Sequence, residues 1–279
     1  MPPPDPNAIH RASASGVRKP LAVWLAGRIA WDDYLAMSER LAGEVAGPHG
    51  RNPTLVICEL EPCITIGRLG SRGDVRLSDD DLRSRRLAAR FTGRGGGAVL
   101  HGPGQVVVAV FASLEDLGLA ADDVGRYIAR LQEGLVRAIR GVRCGSAVAH
   151  PGLHGVFGRT GLLAAVGIAV RRGVACHGAF INVSSALDLH HRIDTVPPRL
   201  RLGPSTAAEG PTTPAAGAST MGSIEADVQR RVRLQDVRTA VVQQFADAFA
   251  FPRTHINAGF PHAIRHHATS RPEVVNRVG

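Results

Sequence analysis

The sequence predicts an α+β sheet domain, and three observations carry that expectation. Apolar residues make up 44% of the 279-residue chain, which is enough for a substantial core. Buried-looking apolar runs and amphipathic stretches both occur, yet they do not follow the regular βα alternation of a doubly wound sheet. No internal repeat interrupts the pattern. The ordered domain is expected over residues 20–252. A Pro-, Ser- and Ala-rich disordered arm covers 1–19, a flexible Pro/Gly/Ala/Thr-rich insert 199–219, and a C-terminal tail 253–279.

The elements follow in order. Leu21 to Gly27 reads as a strand, and Trp31 to Ala46 as a helix with Tyr34, Leu35, Met37, Leu41 and Val45 near helical spacing and Asp32 and Asp33 in its first turn. Thr54 to Glu59 is a second strand, Ser78 to Arg86 a short charged helix, and Val106 to Ala112 a third strand. Val124 to Arg140 sets Val124, Ile128, Leu131, Leu135 and Ile139 on one side of a helix. Leu162 to Val170 and Ala179 to Val183 read as buried strands, and Leu234 to Phe249 as a closing amphipathic helix.

Composition narrows the function classes. No run of 18 or more apolar residues exists and the N-terminus is polar and Pro-rich, so a cytoplasmic protein without membrane association is expected. Four cysteines without CxxC spacing point to reduced thiols rather than structural zinc, and no metal site is expected. A net charge of +9 suits acidic partners. Aromatic residues at 4% leave few stacking platforms, which argues against nucleic acid. His255, His262, His266 and His267 cluster near the C-terminus, where a solvated tail is the expectation. No G-x-S-x-G elbow or P-loop pattern occurs.

The stretch from Gly93 to Gln105 reads as a ligand-contacting loop. Gly95, Gly96 and Gly97 let backbone approach a ligand, and a Gly102-Pro103-Gly104 turn stiffens the chain behind His101. A second segment, Gly155 to Asn182, carries Ala164, Ala165 and Gly167 in a strand ending at Arg171 and Arg172, then His177-Gly178 before a strand closed by Asn182.

Together these motifs, with Gly67-Arg68 after ELEPCITI, Asp188-Leu189 before Ile193, and Ser219-Thr220-Met221, resemble the lipoyl(octanoyl) transferase family over about Pro20 to Phe251. The resemblance implies the fold of biotin and lipoate protein ligases, a mixed sheet flanked by helices with an acyl tunnel. It also implies transfer of an octanoyl group from acyl carrier protein to a lipoyl-domain lysine through a cysteine thioester, with no cofactor and no ATP. By position, Arg94, Gly95, Gly96, Gly97, Ala98, Val99, Leu100 and His101 would line the pocket. Ala165, Val166, Gly167, His177, Gly178, Ala179 and Phe180 would join them. Glycine and alanine suit a narrow apolar tunnel. The two histidines could orient a thioester carbonyl.

The chain departs from the family where the chemistry would occur. The family's lysine position falls at Leu162 and its nucleophilic cysteine position at Val196. Neither side chain can attack an acyl donor or leave toward an amine. The thiols that could substitute are Cys176, next to His177, and Cys144, in an upstream loop. Strand alternation is expected to point Cys176 and His177 to opposite faces. The resemblance therefore implies either an impaired transferase or a noncatalytic homologue that binds an acyl chain or a lipoyl domain.

Overall fold

The computed structural model describes residues 18–48, 50–150, 152–196 and 220–261. Most of the expected arm, the whole 199–219 insert and His262, His266 and His267 lie outside the described residues. The strands are β1 (Leu21–Ile29), β2 (Thr54–Leu60), β3 (Cys63–Ile66), β4 (Ala89–Phe91), β5 (Ala98–His101), β6 (Gln105–Ser113), β7 (Gly155–Gly158), β8 (Gly161–Arg171), β9 (Val174–Asn182) and β10 (Thr254–Ala258). The helices are α1 (Trp31–Ala46), α2 (Asp79–Ser84), α3 (Val124–Gly141), α4 (Ile224–Val228) and α5 (Leu234–Ala248).

Seven strands form one sheet in the order β10-β1-β2-β6-β9-β8-β7, and three form a second in the order β4-β3-β5. In the large sheet β1 runs parallel to β10 and β2, and the remaining pairs are antiparallel. This is the mixed sheet with flanking helices that the sequence reading expected. The sheet reaches past residue 252, because β10 pairs with β1 from Leu21–Thr254 to Leu25–Ala258. The first residues of the expected tail therefore belong to the fold. Strands β3, β4, β5 and β7 have three or four residues each, too short for a period to register.

Both faces of the large sheet are covered, which is why β6 and β9 are buried along nearly their whole length. Val106, Val108, Val110, Ala179 and Ile181 pack with Leu131 and Leu135 of α3 and Val241 and Phe245 of α5. Val107, Ala109, Phe111, Cys176 and Phe180 pack with Trp31, Tyr34, Met37 and Leu41 of α1 on the other face. Gly178 pairs with Ala109 where β9 runs beside β6, and an added Cβ would lie 2.2 Å from the Val108 carbonyl oxygen.

Side chains fix the helix ends and the rim. Ser78 and Asp81 form a reciprocal cap on α2, and Asp123 accepts from the Arg126 N–H at the start of α3. The Gln132 amide on α3 donates to the carbonyls of Leu153 (2.9 Å) and Gly155 (2.7 Å), tying the chain before β7 to the helix.

Candidate functional site

The glycine loop is held between two parts of the chain. Gly95 N–H donates to the Ile168 carbonyl on β8 at 2.7 Å. On the other side, the N–H groups of Gly67, Arg68 and Leu69 donate to the carbonyls of Gly97, Arg94 and Gly96. Gly67 permits this, since a Cβ there would lie 2.4 Å from the Gly96 carbonyl oxygen. Gly96 itself has φ +80°, a conformation that favours glycine.

Beneath this loop lies a cavity of about 240 Å³. Its apolar wall comes from Val99, Val124, Ile128, Leu153, Phe157, Leu162, Ala165, Val166, Ile168 and Val196. Arg68, Arg94, His154 and Thr195 supply its polar groups. Leu162 and Val196 thus meet at one cavity. Val196 gets there because its segment is anchored by the Val75–Ile193 bridge and by Asp194 N–H donating to the Asp74 carbonyl at 2.8 Å.

Arg94 is the charged centre of the site. Its side chain is buried, with its guanidinium donating to the Thr65 hydroxyl and carbonyl and to the Gly95 carbonyl, and lying 5.2 Å from the Phe180 ring centroid. Among the described residues no carboxylate pairs with it. Burial lowers its pKa to about 10. A buried cation without an anion is costly, and a polar or anionic ligand group in the cavity would relieve that cost.

His101 stands behind the site rather than in it. Its Nδ1–H donates to Gln105 Oε1 at 2.7 Å, and its Nε2 accepts from the Thr65 hydroxyl at 2.8 Å. Gln105 in turn donates to Asn182 Oδ1 at 2.8 Å, and Asn182 donates to His190 Nε2 at 3.5 Å. Burial and the nearby Arg94 push the His101 pKa down to about 3, so the ring is neutral and both nitrogens are engaged. It has no nitrogen left to orient a carbonyl.

Several expected lining residues do not reach the cavity. On β5, Val99 lines it, while Ala98 and Leu100 face α2 with Leu82 and Leu87. On β9, Ala179 faces α3 and α5, and Phe180 packs edge-on to His101 with ring centroids 4.7 Å apart. Gly178 packs against the β6 backbone at Val108, and Gly167 lies on β8 beside Arg94. His177 and Cys176 line a different cavity on the α1 face. Their adjacency there corrects the expectation of opposite facing, because His177 has φ +61° and its ring turns back toward Tyr34.

The other candidate thiol is remote as well. Cys144 donates to Asp227 Oδ2 at 3.4 Å, in a cluster where Asp227 also accepts from Ser146 and from the Thr160 N–H. Burial raises the thiol pKa of both Cys144 and Cys176, and pushes those of Cys58 and Cys63 up to about 12. None of the four cysteines lines the cavity under the loop. Sequence reasoning missed Val124 and Ile128, whose helical spacing is the same whether they meet core or cavity, and His154 and Thr195, which no motif marks.

Among the described residues no helix is long and apolar enough to cross a membrane, and no group of three or more His, Cys, Asp or Glu could hold a metal ion.

The profile of the lipoyl protein ligase A/B catalytic domain matches residues 31–246. The octanoyltransferase of Geotalea uraniireducens is 32% identical over 219 residues, covering 78% of this chain and 88% of that protein. The octanoyltransferase of Geobacter metallireducens is 34% identical over 222 residues, covering 78% and 89%. Among solved structures, a lipoate-protein ligase A bound with ATP superposes with a TM-score of 0.62 at 15% identity, over 85% of this chain and 88% of that one. A bipartite lipoate protein ligase from Thermoplasma acidophilum, studied with its E2 lipoyl domain, gives 0.58 at 16% identity, over 86% and 87%. At these identities the structural likeness concerns the fold.

Proposed function

The chain belongs to the lipoyl protein ligase A/B catalytic-domain family, and we propose that it binds a medium-chain acyl group beneath the Gly95–Gly97 loop without performing thioester-relay acyl transfer. One observation carries this reading. The cavity persists, yet Leu162 and Val196 stand in its wall where the resemblance puts the family's lysine and cysteine. A leucine cannot lower the pKa of a neighbouring thiol, and a valine offers no nucleophile.

Relocated catalysis needs a thiol within the cavity, and all four cysteines lie elsewhere. The chain's residues nonetheless suit a bound acyl group. Branched aliphatic side chains and Phe157 take its hydrocarbon part, and the buried Arg94 guanidinium faces the polar end. The donor or acceptor of that acyl group would be an acyl carrier protein or a lipoyl domain. A net charge of +9 favours such acidic partners through electrostatic steering. The reading places the protein in the cytoplasm, where those partners reside.

Intact-protein mass spectrometry after incubation with octanoyl-acyl carrier protein tests the chemistry. No covalent acyl adduct is expected, while octanoate raises the unfolding temperature. An adduct on any cysteine overturns the noncatalytic reading, and absence of thermal stabilisation by saturating octanoate overturns the acyl-binding reading.

A further inference from the structure

A second cavity, of about 210 Å³, opens on the α1 face of the sheet. It shares no lining residue with the cavity under the glycine loop. Its volume lies below the roughly 300–1,000 Å³ of sites for drug-sized ligands, which limits it to a small molecule.

The backbone is arranged to present a histidine here. Alternation along β9 sends Val174, Cys176 and Phe180 to the α1 face and Ala175, Ala179 and Ile181 to the other. By that count His177 belongs with the second set. Its φ of +61° breaks the alternation and turns the ring to α1, beside Cys176. Such sparsely populated conformations persist where the surroundings enforce them and cluster at functional sites.

Two side chains at this cavity offer N–H donors that no described residue engages. The buried Tyr34 phenol and His177 Nδ1 are hydrogen-bonded at 3.1 Å, and with the phenol as donor the neutral ring carries its proton on Nε2. Burial, with Arg94 and Arg171 nearby, lowers the ring's pKa to about 4 and keeps it neutral near pH 7. His177 is only 4% exposed, and Nε2 has no hydrogen-bond partner among the described residues. The solvent-exposed Arg171 guanidinium likewise makes no ion pair or hydrogen bond with them, although it lies over Gly93, 2.6 Å from where a Cβ would be. The apolar side consists of Trp31, Leu35 and Phe91, the last 71% exposed. Glu39 at the α1 rim is the only carboxylate in the lining, and it disfavours a ligand with a second negative charge.

We propose that this cavity is a second ligand site for a small monocarboxylate with an apolar body. Arg171 and the His177 Nε2–H hold the carboxylate, Trp31, Leu35 and Phe91 cover the body, and the Cys176 thiol lies beside the bound molecule. A guanidinium and a neutral N–H donor together match the two acceptor oxygens of a carboxylate. The site is independent of the acyl cavity, and stands or falls without it.

Iodoacetate and iodoacetamide are the probes, sharing one alkylating carbon with and without a carboxylate. In either reaction the Cys176 sulfur displaces iodide, the C–S bond forming as the C–I bond breaks, and the thiol proton leaves to solvent. The full chain is alkylated while folded, and peptide mass spectrometry locates the label. Relative to their rates with a simple thiol, iodoacetate is expected to outpace iodoacetamide at Cys176 by about tenfold, as one charge-assisted contact allows. Hexanoate should slow labelling by iodoacetate. Arg171→Ala, at an exposed position, should remove both the preference and the protection, and Arg171→Lys should retain part of each. Ala165→Leu, in the other cavity, should change neither. The proposal is overturned if Cys176 resists both reagents until the chain unfolds, if iodoacetate shows no preference, or if the preference survives Arg171→Ala.

Discussion

Leu162 on β8 and Val196 on the segment bridged to Val75 face one cavity, although 33 residues of chain separate them. That convergence makes a direct test of the noncatalytic proposal possible. The double variant Leu162→Lys with Val196→Cys is expected to accept an octanoyl group from octanoyl-acyl carrier protein, seen as a hydroxylamine-labile mass increase, whereas the natural chain is not. Val196→Cys alone should acylate more slowly, since a thiol buried among apolar groups keeps a raised pKa. A double variant that folds, binds octanoate and still takes no acyl group would mean that the two positions are not the missing reactive pair.

Octanoate at one hundred times its Kd should stabilise the protein by about 2.7 kcal/mol. For a domain of this size that corresponds to a rise of roughly 5–10 °C in Tm. Ala165→Leu extends a side chain into the cavity from β8 and should shrink or remove the rise. Differential scanning fluorimetry of both proteins with and without octanoate makes the comparison.

Gln132→Leu should destabilise the fold by about 2–4 kcal/mol, because it strands the buried carbonyls of Leu153 and Gly155 without their donor. Leu153 lines the cavity under the glycine loop, so the proposed octanoate-induced rise in Tm should also fall. Urea unfolding at constant m-value reads the first effect. A change below about 0.5 kcal/mol, the range of ordinary surface substitutions, would show that this tie is not what holds β7.

Acid should weaken the protein well above the carboxylate range. Burial lowers the folded-state pKa to about 3 for His101 and about 4 for His177 and His190. An unfolded chain binds those protons near pH 6.5. Between these values the unfolded state holds more protons, so stability is full above about pH 6.5 and falls as pH drops toward 4. His177→Asn keeps a residue that tolerates positive φ and removes one titrating ring. It should flatten the dependence near pH 5 by about 1 kcal/mol per pH unit. Asp227 adds a separate loss at lower pH. Burial opposes its ionisation, but hydrogen bonds from Ser146 and the Thr160 N–H outweigh that and hold its pKa below the usual value. Urea midpoints from pH 4 to 8 check the order of these losses.

The long elements were legible because each has enough residues for its period to show. Trp31–Ala46 and the helix from Val124 stand at the positions their apolar spacing indicates, and β6 follows from its unbroken apolar run. The loop of Arg94 to Gly97 was legible too, since three consecutive glycines have little use away from close backbone packing. Lining residues on strands were only half legible. A motif names consecutive residues, whereas the pleat of β5 turns every second one toward the cavity, so Val99 lines it and Ala98 and Leu100 do not.

By itself the sequence determined the α+β class, the long helices and the glycine loop, and its resemblance to the family is what puts the two reactive positions at Leu162 and Val196. Those are properties of composition, local period and residue identity. Tertiary structure alone decided that Leu162 and Val196 meet, that β10 closes the sheet beyond the expected domain end, and that His177 turns to the same face as Cys176. The reason is physical. Convergence of distant segments and the sign of one φ depend on which neighbours enforce them, here the Val75–Ile193 bridge and the Tyr34 hydroxyl, and neither is encoded in the local spacing of side chains.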